Sequence, residues 1–298
     1  MIVLTTPTGT IGRQVLDHLL SGDTPIRVIA RDPTRLPSHA RERVEVIPGS
    51  HGDIDVVNRA FAGADTVFWL VPPDPRAESV NAAYVGFTRP AVDAIRRHGV
   101  KRLVGISALG RGTPVAGNAG YVTASLAMQD LIETTGVGVR MLTMPSFMDN
   151  ILRQRDSIRS RGVFVSAVDP SRKLPTCATQ DIATVAARLL LDPSWSGQER
   201  VPVLGPEDLS FDDMARIMSD VLGKPVRCEQ ISLDAFKASL TARGMSDAMA
   251  QGMVDMADAK NKGLDNAEPR TPQVTTPTSF RQWCEQVLKP AVLEPVGR

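Results

Sequence analysis

Six short apolar runs separated by helical stretches, a glycine turn after the first run, and glycines that close the helices in phase predict an α/β fold with a doubly wound parallel sheet. The 298-residue chain opens directly on that pattern. Ile2, Val3 and Leu4 form an apolar run, residues 5–12 are a turn, and Ile11, Val15, Leu16, Leu19 and Leu20 recur at helical spacing before Gly22. Residues 26–30 read as a second strand, which completes a βαβ unit.

The rhythm continues. Residues 44–47 read as a strand, 54–61 as a short helix, and 66–71 as a strand apolar throughout, as expected where helices cover both faces of a sheet. A long helix over 78–98 carries Pro90, where a kink or restart is expected. Strands at 102–107 and 140–144 enclose a helix at 121–135. Gly22, Gly63, Gly99 and Gly136 each follow a helical stretch, the place for a left-handed C′ residue. Past Asn150 the pattern changes: 151–160 is helical and basic, 170–175 a loop, 181–191 an apolar helix with Thr179 as N-cap, and 201–204 a return to the sheet. Helices are expected at 212–222 and 233–243, then a last one over 277–288 with Thr276 at N-cap and Pro277 at N1.

Composition narrows the function classes. Apolar residues make up 42% and charged residues 22%, ordinary values for a folded chain, and the net charge of +1 with evenly spread signs predicts no surface for nucleic acid. Cys177, Cys228 and Cys284 are far apart with no C-x-x-C spacing, which argues against structural zinc and a disulfide framework and fits a reducing compartment. No apolar run reaches the roughly 18 residues of a membrane span, and no leader pattern precedes the first strand. A soluble, cytoplasmic protein is expected.

The opening turn carries the chemistry. A helix N-terminus offers free N–H groups to an anion, and a strand–turn–helix with small residues at the bend is where a dinucleotide pyrophosphate sits. Gly9 lets the backbone approach phosphates, and Gly12 lets the helix lie close against the strand. Thr6 stands where a first glycine usually makes the tight bend. The expected domains are therefore 1–150, a Rossmann-type dinucleotide-binding domain, and 151–298, a smaller, mostly helical cap for substrate in which about 178–204 returns to the sheet.

The motifs Thr8-Gly9-Thr10-Ile11-Gly12, Ile29-Ala30-Arg31-Asp32-Pro33, residues 99–108, Pro145-Ser146-Phe147-Met148-Asp149-Asn150, Asp181-Ile182-Ala183 and Thr276-Pro277-Thr278-Ser279-Phe280 run the length of the chain. In this order the chain resembles the NmrA-like branch of the atypical short-chain dehydrogenases/reductases. The resemblance implies bound NADP or NAD. It places Thr6, Thr8, Gly9, Thr10, Ile11 and Gly12 on the phosphates, and Pro72, Ser107, Pro145 and Phe147 at the nicotinamide end. Arg31 matches the position that holds a 2′-phosphate, whereas Asp32 beside it suits an unphosphorylated ribose. The family pattern ends its third strand in Gly-Asp near the adenine; this chain has Gly49-Ser50.

The usual catalytic pair of such reductases is Tyr-x-x-x-Lys, in which the lysine lowers the tyrosine pKa for proton relay. Tyr121 follows Ser107 at close to the expected spacing, so Tyr121 and Ser107 are the catalytic candidates, but four residues after Tyr121 stands Ser125. The relay is incomplete. Hydride transfer to a quinone or similar electron-accepting ring needs no such relay, since the cofactor carries that chemistry. A nucleophile elbow is nearly spelled by residues 105–110, yet all four histidines precede Ser107, so the Ser, acid, His order of an α/β-hydrolase is not met. Those histidines are also scattered, and no metal site is expected.

Met245, Met249, Met253 and Met256 recur as one helical stripe, and Met141, Met144 and Met148 surround the end of the sixth strand. Such a stripe ordinarily packs a core; facing a cleft, with Phe147, Met148, Met249 and Met253 on the ligand, it would suit a flat, apolar molecule. Arg153, Arg155, Arg159 and Arg161 read as a solvated helix face, with an anion contact at the same cleft as the alternative. Three functions follow as expectations. One is an NAD(P)-dependent oxidoreductase acting on a hydrophobic aromatic, quinone-type or polyketide-like small molecule. The second is a non-catalytic dinucleotide sensor that signals through a protein partner. The third is a redox bystander in a multi-enzyme pathway, which lends a binding pocket to another component's chemistry.

Overall fold

The computed structural model describes residues 1–293. Its central sheet has seven parallel strands: β1 (Ile2–Thr5), β2 (Ile26–Ala30), β3 (Glu45–Pro48), β4 (Thr66–Trp69), β5 (Arg102–Ala108), β6 (Gly138–Met144) and, from much later in the chain, β10 (Gln198–Pro202), in the order β10-β6-β5-β4-β1-β2-β3. Parallel registers join β1 to both β2 and β4. Order therefore reverses at β1, and the crevice beyond the carboxyl ends of β1 and β4 is the topological switch point, where open α/β sheets take their ligands. Every residue of β1 and β4 is buried, as their unbroken apolar runs require.

Between the strands run α1 (Thr10–Leu19), the short α2 (Ser38–Arg41), α3 (Ile54–Phe61), α4 (Phe87–His98) and α5 (Tyr121–Glu133). One core cluster gathers Phe61, Trp69, Ile95, Leu103, Met128 and Met141. The irregularity expected at Pro90 lies one turn earlier, as a π-helical turn at Ala82–Gly86 that runs straight into α4. Proline cannot donate to the carbonyl four residues back, here that of Gly86, so the ladder re-registers upstream of the ring. Gly99 closes α4 in the left-handed conformation at φ 64°. Gly22 does not follow suit, because α1 ends on right-handed Leu20.

The chain divides into two compact units. The first comprises 1–108, 124–143 and 182–201, and the second 109–123, 144–181 and 202–298. In the second unit lie β7 (Ser146–Phe147), β8 (Val163–Ser166), β9 (Leu174–Cys177), β11 (Asp208–Leu209) and β12 (Arg227–Gln230), which form one sheet in the order β11-β9-β7 and another pairing β12 with β8. Helices α6 (Arg155–Arg161), α7 (Thr179–Leu191, shared with the first unit), α8 (Phe211–Leu222), α9 (Leu233–Thr241), α10 (Asp247–Asn261), α11 (Phe280–Trp283) and α12 (Lys289–Leu293) complete the chain. Met148, Phe164, Met218, Phe280 and Trp283 share the second unit's core, with Phe280 stacked on Trp283 at 5.5 Å.

Two expected helix starts move. Thr179 is the first residue of α7 rather than its cap, and its N–H and hydroxyl both donate to Asp149, at 3.2 and 2.9 Å. The last helix begins at Phe280, not Pro277. Ser279 and Gln282 close a capping box there, while Thr276 donates its N–H to the Leu204 carbonyl at 2.7 Å. Thr278, in turn, is held by Asp181 through its N–H at 3.1 Å and its hydroxyl at 2.7 Å. Three of the motifs that carry the family resemblance are thus joints: Asp149 anchors the start of α7, and Asp181 ties down the segment leading into α11.

Candidate active site

The turn after β1 is tighter than its sequence suggests. Thr6 takes a left-handed φ of 52°, the only positive value at a non-glycine among the described residues, so a β-branched residue makes the bend that glycine usually makes. Its carbonyl accepts the Gly9 N–H at 3.0 Å. A Cβ on Gly12 would lie 2.0 Å from that same carbonyl oxygen. Only glycine lets α1 start this close to the strand.

That closeness exposes the helix start. Gly9 is the N-cap of α1, no side chain caps it, and the first turn holds no acidic residue. The helical bonds begin with the Arg13 N–H donating to Gly9 at 2.9 Å, which leaves the N–H groups of Thr10, Ile11 and Gly12 ahead of the ladder. Gly9 and Thr10 are exposed and Thr8 is half-buried. Bare donors, a positive dipole end and the absence of a competing carboxylate are what a diphosphate requires, so this turn fits a nicotinamide dinucleotide.

The other expected contacts of the first unit follow the carboxyl ends of neighbouring strands. Arg31 comes directly after β2, Ser50 after β3, Pro72 after β4, and Ser107 sits in the last turn of β5. The Thr5 hydroxyl fastens this edge by donating to the Phe68 carbonyl at 2.9 Å and accepting the Leu70 N–H at 3.1 Å. Arg31 is exposed, and Asp32 is committed locally. Its Oδ1 accepts from the Thr34 hydroxyl at 2.6 Å and the Thr34 N–H at 3.0 Å, and these bonds hold its carboxyl below the usual range.

Sequence reasoning passed over one residue here. His51 follows Ser50, is 7% exposed, and binds the Leu70 carbonyl through Nε2 at 3.0 Å. Its ring meets Trp69 edge-on at 5.1 Å and Phe87 at 4.8 Å. Burial pushes its pKa down to about 4, opposed by the Leu70 bond and assisted by Arg31. His51 thus clamps the loop after β3 to the end of β4. A lone histidine among loop residues gave no sign of this, because its aromatic partners come from distant elements.

The catalytic candidates divide. Ser107 is buried, with its Oγ 3.3 Å from the Ser125 Oγ and 3.5 Å from the Ser125 carbonyl. Ser107 and Ser125 thus form a neutral, buried hydroxyl pair. Tyr121 belongs to the second unit and is half-buried; burial raises its phenol pKa, and Arg153 only partly offsets this.

Also in the second unit, Pro145 precedes β7, and Phe147 pairs with Cys177 across β7 and β9. Met148 and Met249 are fully buried, whereas Met253 and Met256 on α10 are half-buried. Met245 stands before the α10 N-cap Ser246 and is not part of the helix. Arg159 does not extend freely either: it donates to the carbonyls of Val292 and Ala291 at 2.7 Å each. Among the described residues, no group of three or more metal-ligating side chains is assembled, and no helix is long and apolar enough to cross a membrane.

The chain is similar over most of its length to known reductases. A reductase of (4-alkanoyl-5-oxo-2,5-dihydrofuran-3-yl)methyl phosphate from Streptomyces griseus is 29% identical over 289 residues, covering 95% of this chain and 96% of that protein. An NAD(P)H azoreductase from Xenophilus azovorans is 27% identical, covering 86% of each. The crystal structure of an Escherichia coli NADPH-dependent quinone oxidoreductase with NADPH superposes with a TM-score of 0.77 at 21% identity, over 94% of this chain and 97% of that one. The family model described as NAD(P)H-binding matches residues 7–193. This chain belongs to the NAD(P)H-binding family.

Proposed function

We propose that the protein is an NAD(P)H-dependent oxidoreductase of the NmrA-like branch that reduces a flat, hydrophobic small molecule with a conjugated carbonyl or quinone-type ring. The observation that carries this reading is the start of α1, uncapped and brought against β1 by Gly12. In the bound state the N–H groups of Thr10, Ile11 and Gly12 would hold the diphosphate and Arg31 the 2′-phosphate. The loop of Ser50 and His51 would hold the adenosine, with Pro72 and Ser107 toward the nicotinamide. The cofactor supplies a hydride when bound, and it carries the redox chemistry. Protein groups then have three tasks: orienting the acceptor, excluding water and finding the proton. Phe147 and the half-buried methionines of α10 suit the first two.

The substrate classes in the relatives' names, a butenolide phosphate, an azo compound and a quinone, all carry conjugated, electron-accepting double bonds, and that shared feature supports the substrate class. Three free cysteines, buried or half-buried, fit a reducing cytoplasm. The test is consumption of NADPH or NADH against a panel of quinones, an azo dye and a butenolide. No oxidation above background with any acceptor would overturn the reading. A second reading, a dinucleotide sensor, draws on the neutral Ser107 and Ser125 pair; it expects tight cofactor binding, no turnover, and a partner whose affinity depends on the nucleotide.

A further inference from the structure

The second unit carries a charged pair that the reading above leaves unused. Lys260 is the only buried lysine or arginine among the described residues, and its ammonium is paired with the carboxylate of Asp265, itself 2% exposed. Replacing such a pair by apolar residues is often neutral or stabilising, so stability alone does not account for it.

Its position does. Met249, Met253, Met256 and Lys260 recur at the spacing that shares one face of α10. The face is closed at both ends, by buried Met249 and Lys260, and half-open between them at Met253 and Met256. At the near end, a Cβ on Gly120 would lie 2.0 Å from the Gly252 carbonyl oxygen, so α10 presses on the turn that starts at Tyr121. At the far end, Leu264, next to Asp265, packs on Gly110, where a Cβ would meet its Cδ1 at 2.5 Å. Asp265 also contributes, after burial, Asp181 and Asp149, to raising the Cys177 thiol, and Cys177 is the register partner of Phe147. Asp149 and Asp181 are already occupied by Thr179 and Thr278.

We propose that Lys260, held by Asp265, is the polar pole of a ligand site in the second unit: its ammonium binds the oxygen of a conjugated carbonyl ligand whose flat body lies on Met253 and Met256. This rests on the oxidoreductase reading.

The test uses the full chain saturated with NADP⁺ and the variants Lys260→Met and Lys260→Met/Asp265→Leu, the second leaving no orphan charge if the first fails to fold. Lys262→Met removes an exposed pair with Asp258 on the same helix and serves as control. Calorimetric titration with 2-methyl-1,4-naphthoquinone, and with an unsubstituted butenolide, is expected to show roughly tenfold or greater loss of affinity in the double variant, the size of a lost charge-assisted hydrogen bond, with NADP⁺ affinity unchanged. Equal probe affinity in wild type and double variant would overturn the proposal, as would absence of probe binding to the wild type. Binding that depends on Lys260 without any turnover would sustain the site and sink the oxidoreductase reading instead.

Discussion

The hydroxyl of Ser107 lies 3.3 Å from that of Ser125, and both residues are buried. The Tyr121 phenol pKa is raised by burial, which the Arg153 charge only partly opposes. Tyr121 therefore stays protonated over the working range. Quinone reduction is expected to show no phenol ionisation between about pH 6 and 9, and Tyr121→Phe to keep its rate within about threefold of wild type. Steady-state rates across that range check both.

Gly12 and Thr6 make opposite predictions. Gly12→Ala forces a Cβ against the Thr6 carbonyl and is expected to abolish NAD(P)H binding and cost about 3 kcal/mol of stability. Thr6→Gly relieves the left-handed threonine and is expected to stabilise the fold by about 1 kcal/mol while binding is kept. Urea unfolding of the two variants beside wild type measures the signs.

Arg31 is exposed at the end of β2, while Asp32 spends its Oδ1 on Thr34. The expectation is a preference for NADPH. Arg31→Ala should weaken NADPH roughly tenfold to a hundredfold and leave NADH nearly unchanged, because only the 2′-phosphate loses a charge-assisted bond. Parallel titrations with the two nucleotides decide it; equal losses would refute the preference.

His51 sets a pH dependence. Its folded pKa of about 4 lies below the usual 6.5, so in the window between them the unfolded chain binds the proton and the folded one does not. Its contribution is fully present above pH 6.5 and is lost as pH falls toward 4, by up to about 3 kcal/mol. His51→Phe keeps the aromatic packing and is expected to flatten this part of the stability profile, read by urea midpoints at a series of pH values.

Much of the fold was legible because periodicity reports burial. The runs of β1 and β4 read as doubly covered strands, and they are buried throughout. What escaped was whatever depended on partners far along the chain. Thr276 looked like a cap, but it bonds Leu204; the capping box one turn on, Ser279 with Gln282, carried the better signal. The phosphate turn could be placed from Gly9 and Gly12, although nothing local revealed that Thr6 would take φ 52°. His51 and Lys260 stayed hidden for the same reason. A histidine becomes a clamp only when Trp69, Phe87 and Leu70 surround it, and a lysine becomes a buried pole only when Asp265 folds back onto it.

The most direct measurement is calorimetric titration of NADPH into the wild-type protein and into Gly12→Ala. Saturable one-to-one binding by the wild type, with no heat of binding in a variant that circular dichroism shows to be folded, is the expected result. Wild type that takes up no nucleotide, or a folded Gly12→Ala that binds it equally well, would contradict the placement of the diphosphate at the start of α1.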